Sequence, residues 1–294
     1  MRIIFLCLFA LITQISFAQL DSAKMFRDSL EAKLKIQTGS ISLGDSIGTL
    51  KVPDGFGYLN SNQTEFVLKD LWGNEDGSGT LGMLVPADKS MLDGDSWAFI
   101  ITFENMGYVK DDDADDIDYD DMLKELKEDI SKENEQRVKA GQDKVELVGW
   151  ASKPFYDSDK KVLHWAKEIK FGDREMNTLN YNIRVLGRKG VLMLNAVSSM
   201  DRLADVKQNI DPVLSSFTYA QGQKYSDFNP GVDEVAAWTI GGLVAGKLLA
   251  KVGFFAIFLK YIKLIVIAVG AAGAGIWKWF KKKTEPPVVK DMNA

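Results

Sequence analysis

The apolar positions of this chain fall into three patterns: long runs at both ends, period-two alternation through the middle, and helix-spaced stripes in a few polar stretches. Asp21 to Gln37 places Phe26, Leu30 and Leu34 at i, i+4 and i+8, which predicts an amphipathic helix behind an Asp21 cap. Ile41 to Val52 reads as two short strands turning at Gly44-Asp45, and Pro53-Asp54-Gly55 ends them. Asn62 and Glu65 have capping-box spacing and open a short helix that Gly73 stops. Thr80 to Val85 and Ser96 to Phe103 are β-rich, with a polar loop between them.

A charged helix is expected from Tyr119 to Ala140, with Met122, Leu126 and Ile130 on one face and Gly141 at its end. Four strands follow: Lys144 to Trp150, Lys161 to Phe171, Asn177 to Leu186 and Val191 to Val197. The second aligns Leu163, Trp165, Ile169 and Phe171, and the third aligns Leu179, Tyr181, Ile183 and Val185. Gly187-Arg-Lys-Gly190 turns the third strand into the fourth. A helix runs from Asp201 and is interrupted or restarted at Asp211-Pro212. Helices set between antiparallel hairpin strands predict an α+β fold, one twisted sheet covered by helices.

The terminal runs set the topology. Met1-Arg2, the apolar Ile3 to Phe17 and the small-x-small Ser16-Phe17-Ala18 have the pattern of a secretory signal peptide, residues 1–18, cut before Gln19. Leu264 to Phe280 is a seventeen-residue segment, apolar but for Lys278 between its closing Trp277 and Trp279, and meets Lys281, Lys282 and Lys283. As a helix it covers about 25 Å, close to the hydrocarbon thickness of a bilayer. The expected organisation is a body over 19–230, a helical stem over 231–263, a transmembrane helix over 264–280 and a cytoplasmic tail over 281–294. Asn229-Pro230-Gly231 is the turn between body and stem.

That arrangement is single-pass type I in a bacterial cell membrane, with the body on the extracytoplasmic (periplasmic) side and lysines on the tail side. A two-span hairpin using Val235 to Leu259 is the alternative; it buries Lys247 and Lys251 at about 2.5 kcal/mol or more each. Gly242 with Gly246, Gly270 with Ala274, and Ala271 with Gly275 repeat small-xxx-small spacing. Such seams let helices approach closely in a bilayer, so self-association or a protein partner through stem and span is an open expectation beside the lipid itself.

Charge divides unevenly. Ala236 to Lys283 holds eight lysines and no acid, while Gln19 to Gly246 sums to about −13 by residue count. An acidic body argues against nucleic acid as a partner. The single cysteine, Cys7, lies in the signal run, so the mature chain has no disulfide and no thiol nucleophile.

Asp111 to Asp121 carries eight aspartates in eleven positions. Calcium is held by such oxygens, but an EF-hand needs glycine sixth and glutamate twelfth. Counted from Asp111 those positions hold Asp116 and Met122, and counted from Asp113 they hold Asp118 and Lys124. Asp111, Asp113 and Asp115 are therefore only weak metal candidates, and the plainer expectation is a solvated loop with Asp118 capping the next helix. His164 is the only histidine and is expected to be exposed beside Ala166, Glu168 and Lys170. One histidine without cysteine excludes a serine or cysteine triad and a histidine-rich zinc site. Gly73 to Gly82 lacks the lysine of a phosphate-binding loop. No catalytic residue and no cofactor is assigned. Trp72, Trp97, Trp150, Trp165 and Tyr181 are expected in the core rather than around a ligand.

Four segments taken in order, SWAFIITFENMGYVKDDDADDIDYDDML (96–123), VGWASKPFYDSDKKVLHWAKEI (148–169), LNYNIRVLGRKGVLMLNAV (179–197) and YSDFNPGVDEVAAWTIGGLVAGKLLAKVG (225–253), resemble bacterial membrane-anchored proteins sharing domain of unknown function 2167. The resemblance implies a membrane-anchored bacterial protein and transfers no catalytic residue. The ending from Asn177 to Phe217 is also similar to small PsbP/Mog1-like domains, as a fold-level analogy only. Together these observations lead to an expected non-enzymatic binding or assembly module. A carboxylate-using hydrolase or transferase and a divalent-cation-responsive domain are the alternatives.

Overall fold

The computed structural model describes residues 25–246 except 26, 75, 94 and 95. The chain divides into two units, Met1–Lys247 and Leu248–Ala294, and every described residue lies in the first. The signal segment, most of the stem and the run over 264–280 lie outside the described residues. Among the described residues no helix is long and apolar enough to cross a membrane.

The strands are β1 (Ser40–Leu43), β2 (Gly48–Lys51), β3 (Phe56–Asn60), β4 (Thr80–Pro86), β5 (Ala98–Glu104), β6 (Val145–Asp157), β7 (Val162–Phe171), β8 (Thr178–Leu186), β9 (Val191–Ser199) and β10 (Phe217–Tyr219). The helices are α1 (Ser61–Phe66), α2 (Tyr119–Lys139), α3 (Leu203–Ser216) and α4 (Ile240–Ala245). Seven strands form one antiparallel sheet in the order β3-β4-β5-β9-β8-β7-β6, and β1-β2-β10 form a second. The expected α+β architecture is present in this coarse form.

Strand alternation sends two apolar sets to opposite faces of the large sheet. On the first face Phe99, Ile101, Tyr181, Ile183, Leu192 and Leu194 are sealed beneath α3 and the small sheet, which contribute Val206, Ile210, Val213, Leu43 and Leu50. The second face carries two separate clusters. One, near β3 and β4, includes Leu59, Val67, Met83 and Met91. The other gathers Val109, Leu163, Trp165, Leu186, Tyr225, Ile240 and Leu243.

Several local expectations shift for identifiable reasons. The described part of the N-terminal helix ends at Glu31, because Gln37 extends to exchange both backbone bonds with Tyr58 on the β3 edge, each 2.9 Å. The capping box is Asn60 with Gln63 rather than Asn62 with Glu65, since the helix starts directly off β3. Pro212 sits inside a continuous α3. Its cost of about 3 kcal/mol is outweighed by three buried anchors, Val206, Ile210 and Val213, at about 1.5–3 kcal/mol each. Gly190 is required at the β8–β9 turn, where a Cβ would strike the Glu104 carbonyl oxygen.

The largest departure lies at the end of the body. The chain does not leave the body at Asn229-Pro230-Gly231. Tyr108 pairs in parallel with Val235, donating its N–H to the Glu234 carbonyl at 2.8 Å and accepting from Ala236 at 2.8 Å. Arg188 bridges Asp233 at 2.7 Å, and Ile240, Leu243 and Val244 bury in the second-face cluster. Apolar residues that read as stem up to residue 246 belong to the core of the body. Gly246, half of an expected small-residue seam, ends α4 in the left-handed conformation at φ 72°.

Candidate functional site

The aspartate run divides its work between two contacts and one cap. Asp118 accepts from the Asp120 and Asp121 N–H groups at 2.9 and 3.0 Å, capping α2 as expected. Asp111 Oδ2 accepts from Lys161 Nζ at 2.8 Å and from the Tyr156 hydroxyl at 2.7 Å. Its Oδ1 lies 3.0 Å from the Tyr225 hydroxyl, whose proton is shared with the Val109 carbonyl at 2.9 Å. Burial alone would raise the Asp111 carboxyl, but the bonds from Lys161, Tyr156 and Tyr225 outweigh it and hold it below the ordinary carboxylate range. Burial, and after it the bonded carboxylate, raises the Tyr156 phenol.

Asp113 does something different. Its Oδ1 accepts from Ile240 N–H at 3.1 Å and its Oδ2 from Gly241 N–H at 3.1 Å. The carboxylate clamps the first turn of α4 to the loop, 127 residues away in sequence. Asp115 is exposed. The three weak metal candidates thus point to three surroundings, and no group of three or more ligating side chains that could hold an ion occurs among the described residues.

A second feature lies on the second face, beside the cluster that holds Leu163, Trp165 and Leu186. Along β9, Leu192, Leu194 and Ala196 are buried on the first face, while Met193, Asn195 and Val197 stay half-buried on the second. Beside them on β8 sits Arg184, only 8% exposed. It has no acidic partner in contact among the described residues. Nη1 donates to the Ile183 carbonyl at 2.9 Å and to Asn195 Oδ1 at 2.8 Å, and Nη2 donates to Asn182 Oδ1 at 3.3 Å. Its guanidinium lies over the Trp165 ring, 5.0 Å from the centroid. Asn182 in turn donates to Asn180 Oδ1 at 2.5 Å, so a polar ladder runs along β8.

Lys167 stands on the same face of β7, opposite Asn180 and two residues beyond Trp165. Its ammonium donates a long hydrogen bond, 3.5 Å, to the Val244 carbonyl at the end of α4. Burial, and then the neighbouring Arg184, lower its ammonium pKa from the usual lysine value. Burial likewise lowers the Arg184 guanidinium to about 10. Three further polar groups of this sheet are buried without a partner among the described residues: the Trp165 indole N–H on β7 and the hydroxyls of Thr102 on β5 and Thr80 on β4.

His164 departs from expectation. It faces the first side and is half-buried, with Nδ1 3.0 Å from the Tyr181 hydroxyl, because Phe155 and Tyr181 pack against its ring. Burial lowers its pKa. Trp97 and Trp165 are core residues as expected, 4% and 2% exposed, whereas Trp72 and Trp150 are half-buried and donate their indole N–H groups to the Met91 and Tyr119 carbonyls.

Arg184 and Lys167 escape a reading of the sequence because polar residues opposite an apolar strand face are ordinarily solvated. The available signal is the polar series Asn180, Asn182 and Arg184 on the reverse of β8, facing Lys167, Trp165 and Leu163 on β7.

An antiparallel sheet between two covering layers, with a cationic strip on one face, defines an α+β domain. Residues 35–274 match the family described as protein of unknown function (DUF2167), and the chain belongs to that family. No curated protein matches it. The chain is similar to the solution structure of cyanobacterial PsbP (CyanoP) from Synechocystis, at 14% identity and a TM-score of 0.34 over 63% of this chain and 93% of that one. It is also similar to the Ran-binding protein Mog1p of Saccharomyces cerevisiae, at 11% identity and a TM-score of 0.34 over 67% of this chain and 100% of the other. Likeness at this level transfers neither a ligand nor a partner.

Proposed function

We propose that this chain is a membrane-tethered, extracytoplasmic binding module that works without catalysis and presents the second face of its sheet to a ligand. The observation that carries the reading is a buried arginine on the same face as a half-buried lysine, with no acid in contact among the described residues. Burying a cation without a counter-charge is unfavourable, and a fold that keeps two on one face, close enough for Arg184 to lower the Lys167 pKa, retains them for something that arrives later. Support for the tether comes from a signal-like start and from the apolar 264–280 run with its lysine cluster.

Chemistry by the acidic loop is disfavoured because Asp111 and Asp113 are already bonded to lysine, tyrosine and backbone donors. Fractionation of cells expressing the full chain tests the tether. The expected result is retention in the membrane after alkaline washing, with the body digested by protease added to intact spheroplasts. Release by alkali, or a body protected until lysis, overturns it. A photoreactive residue placed at Met193 tests the face, and absence of any adduct there in living cells counts against binding through it.

A further inference from the structure

The cationic strip has a definite chemistry. Arg184 has five N–H donors, and protein oxygens take three: both hydrogens of Nη1 and one of Nη2. The Nε–H and the second Nη2 hydrogen have no acceptor among the described residues. Two donors on a rigid plane are what bidentate recognition of a carboxylate uses. Leu163 stands opposite Arg184; one repeat further along the same face of β7 is the Trp165 indole N–H, without an acceptor among the described residues, and two repeats along is the Lys167 ammonium, held by a long bond. Across the strands Leu163 and Met193 face Arg184, Asn182 faces Trp165, and Asn180 and Trp150 face Lys167, none of them acidic. Glu104, further along β5, is exposed; it attracts Arg184 from a distance and makes no salt bridge with either cation.

Orphaned donors deep in a fold are rare and ask for an explanation. Here an indole and two threonine hydroxyls share one face with the arginine fork, and no acid is in contact with that fork among the described residues. Half-buried Met193, cross-strand partner of Arg184, packs against the same cluster and supplies an apolar surface beside the guanidinium. We propose that Arg184, Lys167 and Trp165 form a binding site for a carboxylate carried on an apolar group, the fork taking its two oxygens and Met193 contacting its body. The proposal rests on reading the body as a binding module, and it adds the class of ligand. A carboxylate is favoured over a phosphate because two parallel donors suit a planar anion of single charge, which sheds water more readily than a dianion.

Full-length chain in detergent micelles, labelled with nitrogen-15 at tryptophan, provides the test, with benzoate as probe and Trp165→Phe assigning the indole signal. Benzoate at millimolar concentration is expected to shift the Trp165 signal saturably, while chloride at equal ionic strength leaves it in place. Arg184→Met and Lys167→Met are each expected to weaken benzoate binding at least tenfold with the remaining indole signals unmoved. Lys167→Met matters most, since Lys167 is held only weakly and its removal leaves the polar ladder of β8 intact. A shift reproduced by chloride, unchanged affinity in Lys167→Met, or saturation by inorganic phosphate and not by benzoate overturns the proposal. A membrane-bound chain that crosslinks at Met193 but ignores benzoate overturns the ligand class alone. A chain that binds benzoate yet fractionates as soluble overturns the tether alone.

Discussion

Asp113→Ala isolates the contact that fastens α4 to the body. The carboxylate accepts two N–H bonds at 3.1 Å, from Ile240 and Gly241. Bonds to a charged acceptor contribute about 1.5–3 kcal/mol each when sealed, and half-burial of Asp113 lets water recover part of the loss, leaving about 2 kcal/mol in total. The other attachments of α4 are larger. Ile240, Leu243 and Val244 are 0, 7 and 1% exposed and contribute about 1.5–3 kcal/mol apiece. The variant should therefore keep α4 docked while making its opening easier. An opening free energy lower by about 2 kcal/mol speeds amide exchange about thirtyfold. Hydrogen exchange followed by mass spectrometry on the full chain reads this in peptides spanning 236–246, with β8 and β9 as internal controls. The expected outcome is local acceleration with the controls unchanged. Unchanged exchange at 240–244 refutes the clamp, and acceleration spread through β8 and β9 refutes its locality.

Three further perturbations draw on the same geometry. Asp111 has a folded pKa below its ordinary 3.8, so it contributes stability that is present above pH 3.8 and is lost as pH falls through the lowered value. Asp111→Asn should flatten that acid limb of the thermal stability profile, and an identical limb would discount the Lys161–Tyr156–Tyr225 cluster. Lys167 is depressed below its ordinary 10.5, so at neutral pH its folded charged form carries the full penalty, which fades as pH rises from the folded value toward 10.5. Lys167→Met should raise the melting temperature at pH 7, with the gain shrinking toward pH 10; a fall at pH 7 contradicts an uncompensated charge. Gly190→Ala drives a methyl into the Glu104 carbonyl, and should cost about 2–3 kcal/mol by thermal or denaturant unfolding, where a neutral result would contradict the close approach.

Alternation and turn residues make much of the large sheet legible in the sequence alone. The faces of β7 and β8, the β8–β9 turn and α2 with its Asp118 cap are fixed by local spacing that short-range physics enforces. What stays hidden depends on long-range packing. Residues 235–246 look like stem because they carry no charge and few polar groups, yet α4 is apolar because Val109, Leu163 and Trp165 pack with it in one cluster. The aspartate run looks like a solvated loop, but Asp113 meets its partners 127 and 128 residues later, a pairing no local pattern announces. Arg184 is hidden for the opposite reason, since a polar residue on a strand's reverse face is ordinarily wet, and only the burial of β8 on both faces makes it a buried cation.

Whether a body outside the membrane binds through the face that holds Arg184 can be read directly from one cysteine. The expected mature chain contains no cysteine, so Met193→Cys introduces a single thiol beside Arg184. A membrane-impermeant maleimide is expected to label it in intact spheroplasts, benzoate to slow the labelling, and Lys167→Met to abolish this protection. Labelling that requires lysis, or a rate indifferent to benzoate, contradicts binding through that face.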